Sequence, residues 1–126
     1  MKEVMAIIRM NMINQTKQVL LAEGFPALNC RKVLGRGQKK IDFSLVENIM
    51  SGNITSPKVA ETITEEHRLI PKRLLSIVVK DDEVKKVVDA IIGVNSKGNP
   101  GDGKIFVMPV SETVRIRTGE TGNDAV

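Results

Sequence analysis

The chain has 126 residues, of which 41% are hydrophobic, 27% charged and 2% aromatic, and its formal net charge is +4. This size and balance predict one globular domain, residues 1–126, with an aliphatic core. No apolar run approaches the roughly 20 residues that span a bilayer, and the start is charged too early for a signal peptide. We therefore expect a cytoplasmic protein without membrane insertion.

The single cysteine and the single histidine are too few for a disulfide, a zinc cluster or a Ser-His-Asp triad. Cys30 is expected to be a small buried hydrophobe. The positive charge suits an anionic partner, but the scarcity of aromatic residues argues against a sheet that stacks on RNA bases. A small phosphorylated ligand fits the basic residues better, and no nucleic-acid partner is expected.

The first third of the chain is predicted to form strand, helix, strand. Residues 4–9 are an apolar strand, residues 14–23 a helix that Gly24 ends, and residues 27–34 a second strand that leads into Gly35-Arg36-Gly37.

The pattern recurs after residue 73. Residues 74–79 form a β-branched run, and the acidic residues after it suit the start of a helix that Asp81 or Asp82 caps. Residues 104–110 then read as a strand. The helix has apolar residues at the spacing of one buried face: Val84, Val87, Val88, Ile91 and Ile92.

Two such units in tandem predict an α+β fold, the ferredoxin-like βαββαβ plait. Both helices then lie on one face of the sheet, and the other face is uncovered. Association of copies through that face is the expected outcome, because a large apolar patch is seldom left exposed.

Two segments do not follow the strand–helix–strand pattern. Residues 37–71 lack periodicity and are predicted to be a long flexible interaction loop. In the C-terminal segment, residues 111–126, the stretch 112–120 alternates like a short edge strand, with Arg115 and Arg117 to one side.

Three separate elements could bind phosphate. Glycines allow close approach of backbone N–H groups, lysine supplies a point charge and arginine a planar fork. The residues alone leave open whether these elements form one polyphosphate pocket or three solvated loops. The elements are Gly101-Asp102-Gly103-Lys104, Gly35 and Gly37 with the following Lys39 and Lys40, and Arg115 with Arg117.

Residues 101–107 and 114–120 together resemble the C-terminal signature of the P-II nitrogen-regulatory family. Residues 1–9 and 77–79 are also similar, so the resemblance covers the chain apart from its central loop.

The resemblance implies a homotrimer with ATP or ADP in each cleft between subunits. One subunit would grip the nucleotide with Gly101, Asp102, Gly103 and Lys104, and the adjacent subunit with Arg115, Arg117 and Thr118. Gly35 and Gly37 would lie at the base of the family's T-loop, with Ile7 and Val78 near it. Magnesium on the nucleotide would bind 2-oxoglutarate, which Lys72 would contact.

The chain departs from the family after Gly37. Aligned without a gap, Lys39 replaces the glutamine that coordinates magnesium and the 2-oxoacid, and Lys40 follows it. With a one-residue gap, Gln38 takes that role. The chain has no tyrosine, which excludes uridylylation of a T-loop tyrosine.

Residues 23–26, 30–37 and 67–73 resemble the second of two paired paralogues encoded with nitrogenase genes. This implies direct inhibition of dinitrogenase, relieved by 2-oxoglutarate, and a hetero-oligomer with the paired paralogue. The alternative target is an ammonium channel or glutamine synthetase. An enzyme is not expected, since Asp102 is the one candidate acid or base beside the glycines and is better interpreted as a turn residue.

Overall fold

The computed structural model describes residues 1–37 and 68–126. The chain divides into two compact units, one formed by Met1–Val33 with Pro71–Val126 and the other by Leu34–Ile70. The predicted loop 37–71 lies almost wholly outside the described residues.

The described elements follow the predicted βαββαβ order and confirm the ferredoxin-like plait. They are β1 (Lys2–Arg9), α1 (Ile13–Ala22), β2 (Asn29–Gly35), β3 (Ile70–Val79), α2 (Val84–Asn95) and β4 (Lys104–Pro109). Short 3₁₀ turns precede both helices, and a third, Gly122–Ala125, lies at the C-terminal end.

The sheet has the strand order β2-β3-β1-β4, so β1 is a central strand. It pairs antiparallel with β3, opposing Ile7 to Leu74, and antiparallel with β4, opposing Ile7 to Lys104. Strand β3 begins four residues earlier than predicted, because polar Lys72 and Arg73 continue the pairing although they interrupt the apolar run.

Alternate residues of the central strands face the two helices and form the core. Each fully buried Val, Leu or Ile side chain stabilises the fold by about 1.5–3 kcal/mol through removal from water. The cluster consists of Val4, Ala6, Ile8, Leu20, Leu75, Ile77, Val79, Val87 and Ile91.

A buried polar link joins the two helices within this core. Asn95 donates from Nδ2 to Thr16 Oγ1 at 3.0 Å, and Thr16 donates to the carbonyl of Met12 at 2.7 Å. Asn95 also donates to the carbonyl of Ile91 at 2.9 Å. These bonds fix the helices relative to each other in a way that apolar contacts alone do not.

The other side of the sheet, called the open face below, has no described helix over it, as the sequence predicts. Its residues alternate with those of the core, and in the single chain they are half-buried or exposed. Apolar members include Met5, Ile7, Val78, Phe106 and Met108.

The predicted cap of the second helix is wrong. Asp81 lies in a 3₁₀ turn before α2, and no side chain caps the helix start. Instead Asp81 Oδ1 accepts from the amino group of Met1 at 2.8 Å, with Lys2 at 3.5 Å. The bond from the terminal amine lowers the pKa of the Asp81 carboxyl. A nearby cation has therefore replaced the helix N-terminus as the partner of this acid.

The predicted burial of Cys30 is also wrong, since its side chain is exposed. It lies on β2, the edge strand, where residues 29–32 are all exposed. An edge strand lacks a neighbour on one side, so a short apolar residue there is not forced into the core. Across the described ranges, no helix is long and apolar enough to cross a membrane.

Candidate functional site

Three cationic residues come together at one end of the sheet. The pairing of β1 with β3 places Arg9 opposite Lys72. Two residues earlier on β1, Ile7 lies opposite Lys104 on β4. Alternation puts all four side chains on the open face. Lys72 and Lys104 were predicted from the sequence, whereas Arg9 was not. The sequence signal for Arg9 was a charge at the end of an otherwise apolar strand.

The loop between α2 and β4, residues 96–103 and here called the glycine loop, lies against the end of β1. Gly101 and Gly103 have φ values of +95° and +121°, which side chains rarely permit. A Cβ added at Gly103 would lie 2.1 Å from the carbonyl oxygen of Ile7. Glycine is therefore required at 103 by conformation and by close approach to β1.

Asp102 organises the glycine loop from within. Its Oδ2 accepts from the backbone N–H groups of Lys97, Gly98 and Asn99 at 2.7, 2.9 and 3.3 Å. Its Oδ1 accepts from Arg9 Nη1 at 2.7 Å. The backbone bond from Lys97, followed by the bond from Arg9, lowers the pKa of Asp102 to about 2. Such a carboxylate stays ionised at neutral pH and serves as a turn residue, not as a proton donor.

The carbonyl groups of the glycine loop hold the neighbouring cations. Arg9 Nη2 donates to the carbonyl of Pro100 at 3.2 Å, and Lys72 Nζ donates to the carbonyl of Gly101 at 3.1 Å. Neutral carbonyls are weaker partners for these groups than a phosphate or carboxylate would be. This corner of the sheet can therefore bind an anion that competes with the carbonyl of Gly101 for Lys72, while Arg9 keeps its ion pair with Asp102.

The C-terminal arginines lie in a hairpin, not in the alternating strand that the sequence predicts. A bridge between Val114 and Thr121 closes it, and Arg115 donates its N–H to the carbonyl of Glu120 at 2.8 Å. We call residues 114–121 the arginine hairpin. Arg117 and Thr118 lie in its turn, and Arg115 Nη1 pairs with Glu120 at 3.1 Å. Gly119 at φ +73° permits the reversal that an alternating strand would exclude.

One chain does not bring the arginine hairpin to the glycine loop. The loop precedes Lys104 and the hairpin follows Pro109, so β4 separates them by roughly 20 Å at 3.3 Å per residue. The hairpin end of β4 lies beside Met1, whose carbonyl accepts from the Val110 N–H at 3.2 Å.

The other predicted site residues are distributed as follows. Ile7 lies next to Lys104, whereas Val78 pairs with Glu3 at the far end of the open face, roughly 13 Å along the strand. Gly35 ends β2, and Gly37 is the last described residue before the gap. Gln38, Lys39 and Lys40, with the expected magnesium ligand, lie outside the described residues. Within these, no cluster of His, Cys, Asp or Glu could hold a metal ion.

Comparisons with known proteins give matches along nearly the whole chain. The family model "Nitrogen regulatory protein P-II" matches residues 1–120. The "Nitrogen fixation nifHD region GlnB-like protein 2" of Methanobacterium ivanovii is 44% identical, with 100% of this chain and 99% of that protein covered. The protein with the same description in Methanothermococcus thermolithotrophicus is 46% identical, with 100% and 98% covered. The crystal structure of Arabidopsis thaliana PII bound to citrate superimposes with a TM-score of 0.71 at 31% identity, covering 98% of this chain and 87% of that one.

Proposed function

The chain belongs to the P-II family of nitrogen regulatory proteins, and we propose that it binds ATP or ADP in the clefts between the subunits of a trimer and thereby regulates nitrogen fixation. Proteins of this family are nitrogen regulators, and the proposal makes this chain a trimeric regulator and not an enzyme. The proposal places the protein in the cytoplasm, together with the nucleotide and its target.

The observation that carries the nucleotide proposal is the corner formed by the glycine loop, Arg9, Lys72 and Lys104. A polyphosphate needs several positive groups and backbone that approaches closely, and this corner supplies both. Lys72, now held by the carbonyl of Gly101, exchanges a neutral acceptor for a charged one when an anion binds. Asp102 keeps the loop folded in the meantime.

The distance between the two ends of β4 supports a site shared by neighbours. The glycine loop of one subunit and the arginine hairpin of another would meet across a cleft, and the second subunit would add Arg115, Arg117 and Thr118. A heterologous contact of this kind closes into a ring, as a trimer requires, when the rotation between neighbouring subunits closes.

The signal that the protein reads is proposed to be 2-oxoglutarate, bound through magnesium on ATP. Lys72 would pair with a carboxylate of the 2-oxoacid, in exchange for the carbonyl of Gly101 that it now contacts. Gln38, Lys39 or Lys40 would complete the ligand set from the base of the loop. Binding there favours one loop arrangement, and so changes the affinity for the target.

The target is proposed to be dinitrogenase, inhibited directly and released when 2-oxoglutarate binds. The relatives described as GlnB-like protein 2 of a nitrogen-fixation region support an association with nitrogen fixation. A hetero-oligomer with a paired paralogue is part of the same proposal. An ammonium channel or glutamine synthetase is the alternative target, for which the described residues offer no specific support.

Calorimetric titration with Mg-ATP and Mg-ADP tests the nucleotide site. We expect Lys104→Ala and Arg115→Ala each to weaken binding by about tenfold or more, since a charged hydrogen bond contributes roughly 1.5–3 kcal/mol. Lys85→Ala is the matched control, because Lys85 is an exposed lysine of α2 that pairs with Asp89 and does not line the site. Unchanged affinity in both site variants would refute the proposed pocket.

Co-elution with purified dinitrogenase and the paired paralogue tests the target. We expect a complex in Mg-ADP that dissolves in Mg-ATP with 2-oxoglutarate, and no complex when residues 44–64 are deleted. A complex that persists in Mg-ATP with 2-oxoglutarate would refute release by the 2-oxoacid. Absence of any complex would refute dinitrogenase as the target, without affecting the proposed nucleotide binding.

A further inference from the structure

A groove runs along the helix side of β4, between that edge strand and α2. Its volume is about 360 Å³, and its walls are mainly aliphatic, with Val88 and Ile92 from the helix and Ile105 and Val107 from the strand. Ile92 and Val107 are 48% and 45% exposed in the single chain. The glycine loop, through Asp102 and Gly103, forms one end. This α2–β4 groove lies on the helix side of the sheet and the candidate nucleotide site on the open face. The glycine loop borders both.

The tip of the arginine hairpin carries an apolar side chain with no contact of its own. Ile116 is 100% exposed, more than any other large hydrophobic residue in residues 1–37 and 68–126. The hairpin around it is closed by backbone bonds from Arg115 to Glu120 and from Gly119 to Arg115. A well-ordered turn thus presents one isoleucine between two arginines.

We propose that Ile116 of one copy inserts into the α2–β4 groove of the next copy and anchors the neighbour's arginines at the nucleotide site. The proposal rests on the trimer proposed above and adds the contact that orients it. Shape and chemistry match, because one branched aliphatic side chain enters a groove lined by others, and burying it stabilises the contact by about 1.5–3 kcal/mol.

A further observation favours a second copy as the occupant. The hairpin is attached at the Met1 end of β4 and the glycine loop at the other, so the full exposure of Ile116 is not relieved within its own chain.

Sedimentation velocity at several concentrations provides the first test. We expect Ile116→Asp to raise the concentration at which half the assembly dissociates by at least tenfold, and Ile116→Val to leave it nearly unchanged. Leu21→Asp is the control, because Leu21 is 61% exposed on α1 and does not line the groove. Since Ile116 is fully exposed in a single chain, none of these changes alters the circular dichroism of the subunit.

Disulfide trapping provides the second test, in a Cys30→Ser background that removes the exposed native thiol. Ile116→Cys combined with Ile92→Cys should give covalent dimers and trimers under mild oxidation, because the two Cα atoms then lie within the roughly 7 Å that a disulfide spans. Ile116→Cys combined with Leu21→Cys should give none.

The outcomes separate this contact from the proposed function. A wild-type trimer that Ile116→Asp leaves intact, or that gives no trapped species with the groove pair, overturns the insertion of Ile116 and leaves the nucleotide-binding trimer standing. A wild-type chain that is monomeric with and without Mg-ATP overturns both.

Discussion

Replacing Gly103 by alanine tests the close approach of the glycine loop to β1. The new Cβ would lie 2.1 Å from the carbonyl oxygen of Ile7, whereas real Cβ contacts stay above 3.0 Å. The two segments must therefore separate by roughly 1 Å, a distortion of the kind that costs about 1–3 kcal/mol. The positive φ of +121° adds about 1–2 kcal/mol. We expect Gly103→Ala to lower the free energy of unfolding by about 2–5 kcal/mol.

Gly98→Ala is the matched control for this prediction. Gly98 lies in the same loop with a φ of +75°, and a Cβ there meets no atom within 4 Å. Its substitution should cost only the conformational part, about 1–2 kcal/mol. Both variants are compared by urea unfolding at one protein concentration, since the stability of an oligomer depends on concentration. Equal losses in the two variants would refute the close approach.

Three other predictions concern the loop and the helices. Because the pKa of Asp102 is lowered from 3.8 to about 2, its contribution to stability is present above pH 4 and lost as the pH falls toward 2. Asp102→Asn should therefore weaken the pH dependence of the free energy of unfolding in that window. An unchanged pH profile would contradict the bonds to Asp102. Thr16→Val should lower the free energy of unfolding by about 1–3 kcal/mol, because it removes the acceptor of Asn95. Thr16→Ser should retain most of the stability, and equal melting temperatures of the two variants would argue against the bond from Asn95 to Thr16. Gly93→Ala should raise stability by about 0.5–1 kcal/mol, because the site is helical and open, and a loss in thermal unfolding would show that the helix surface there is covered.

The fold could be predicted from the sequence because both repeats carry strong periodicity. The helix with Val84, Val87 and Ile91 has one apolar stripe, and the observed α2 buries Val87 and Ile91. Prediction failed where a polar group had several possible partners. Asp81 was expected to cap the helix, but its partner is the amino group of Met1, which is distant in sequence.

The site was predictable in its composition but not in its arrangement. Glycines and lysines marked the loop 101–104, since few other patterns allow close backbone approach. The partner of Asp102 is Arg9, which is 93 residues away in sequence and is placed there only by the register of β1. Alternation in residues 112–120 predicted a strand, whereas Gly119 and the bond from Arg115 to Glu120 turn the chain back.

The central position of β1 has a consequence for folding during synthesis. Its partners β3 and β4 begin 68 and 102 residues after Lys2, so one of the two central strands is made first. At about 5–20 residues per second, β1 waits roughly 5–20 s for β4 to be made. Until β3 is made this apolar strand has neither of its neighbours, and until β4 is made it has only one of them. We therefore expect nascent chains shorter than about 104 residues to be more prone to aggregation than the finished protein, and the last strand to complete the sheet and the glycine loop together.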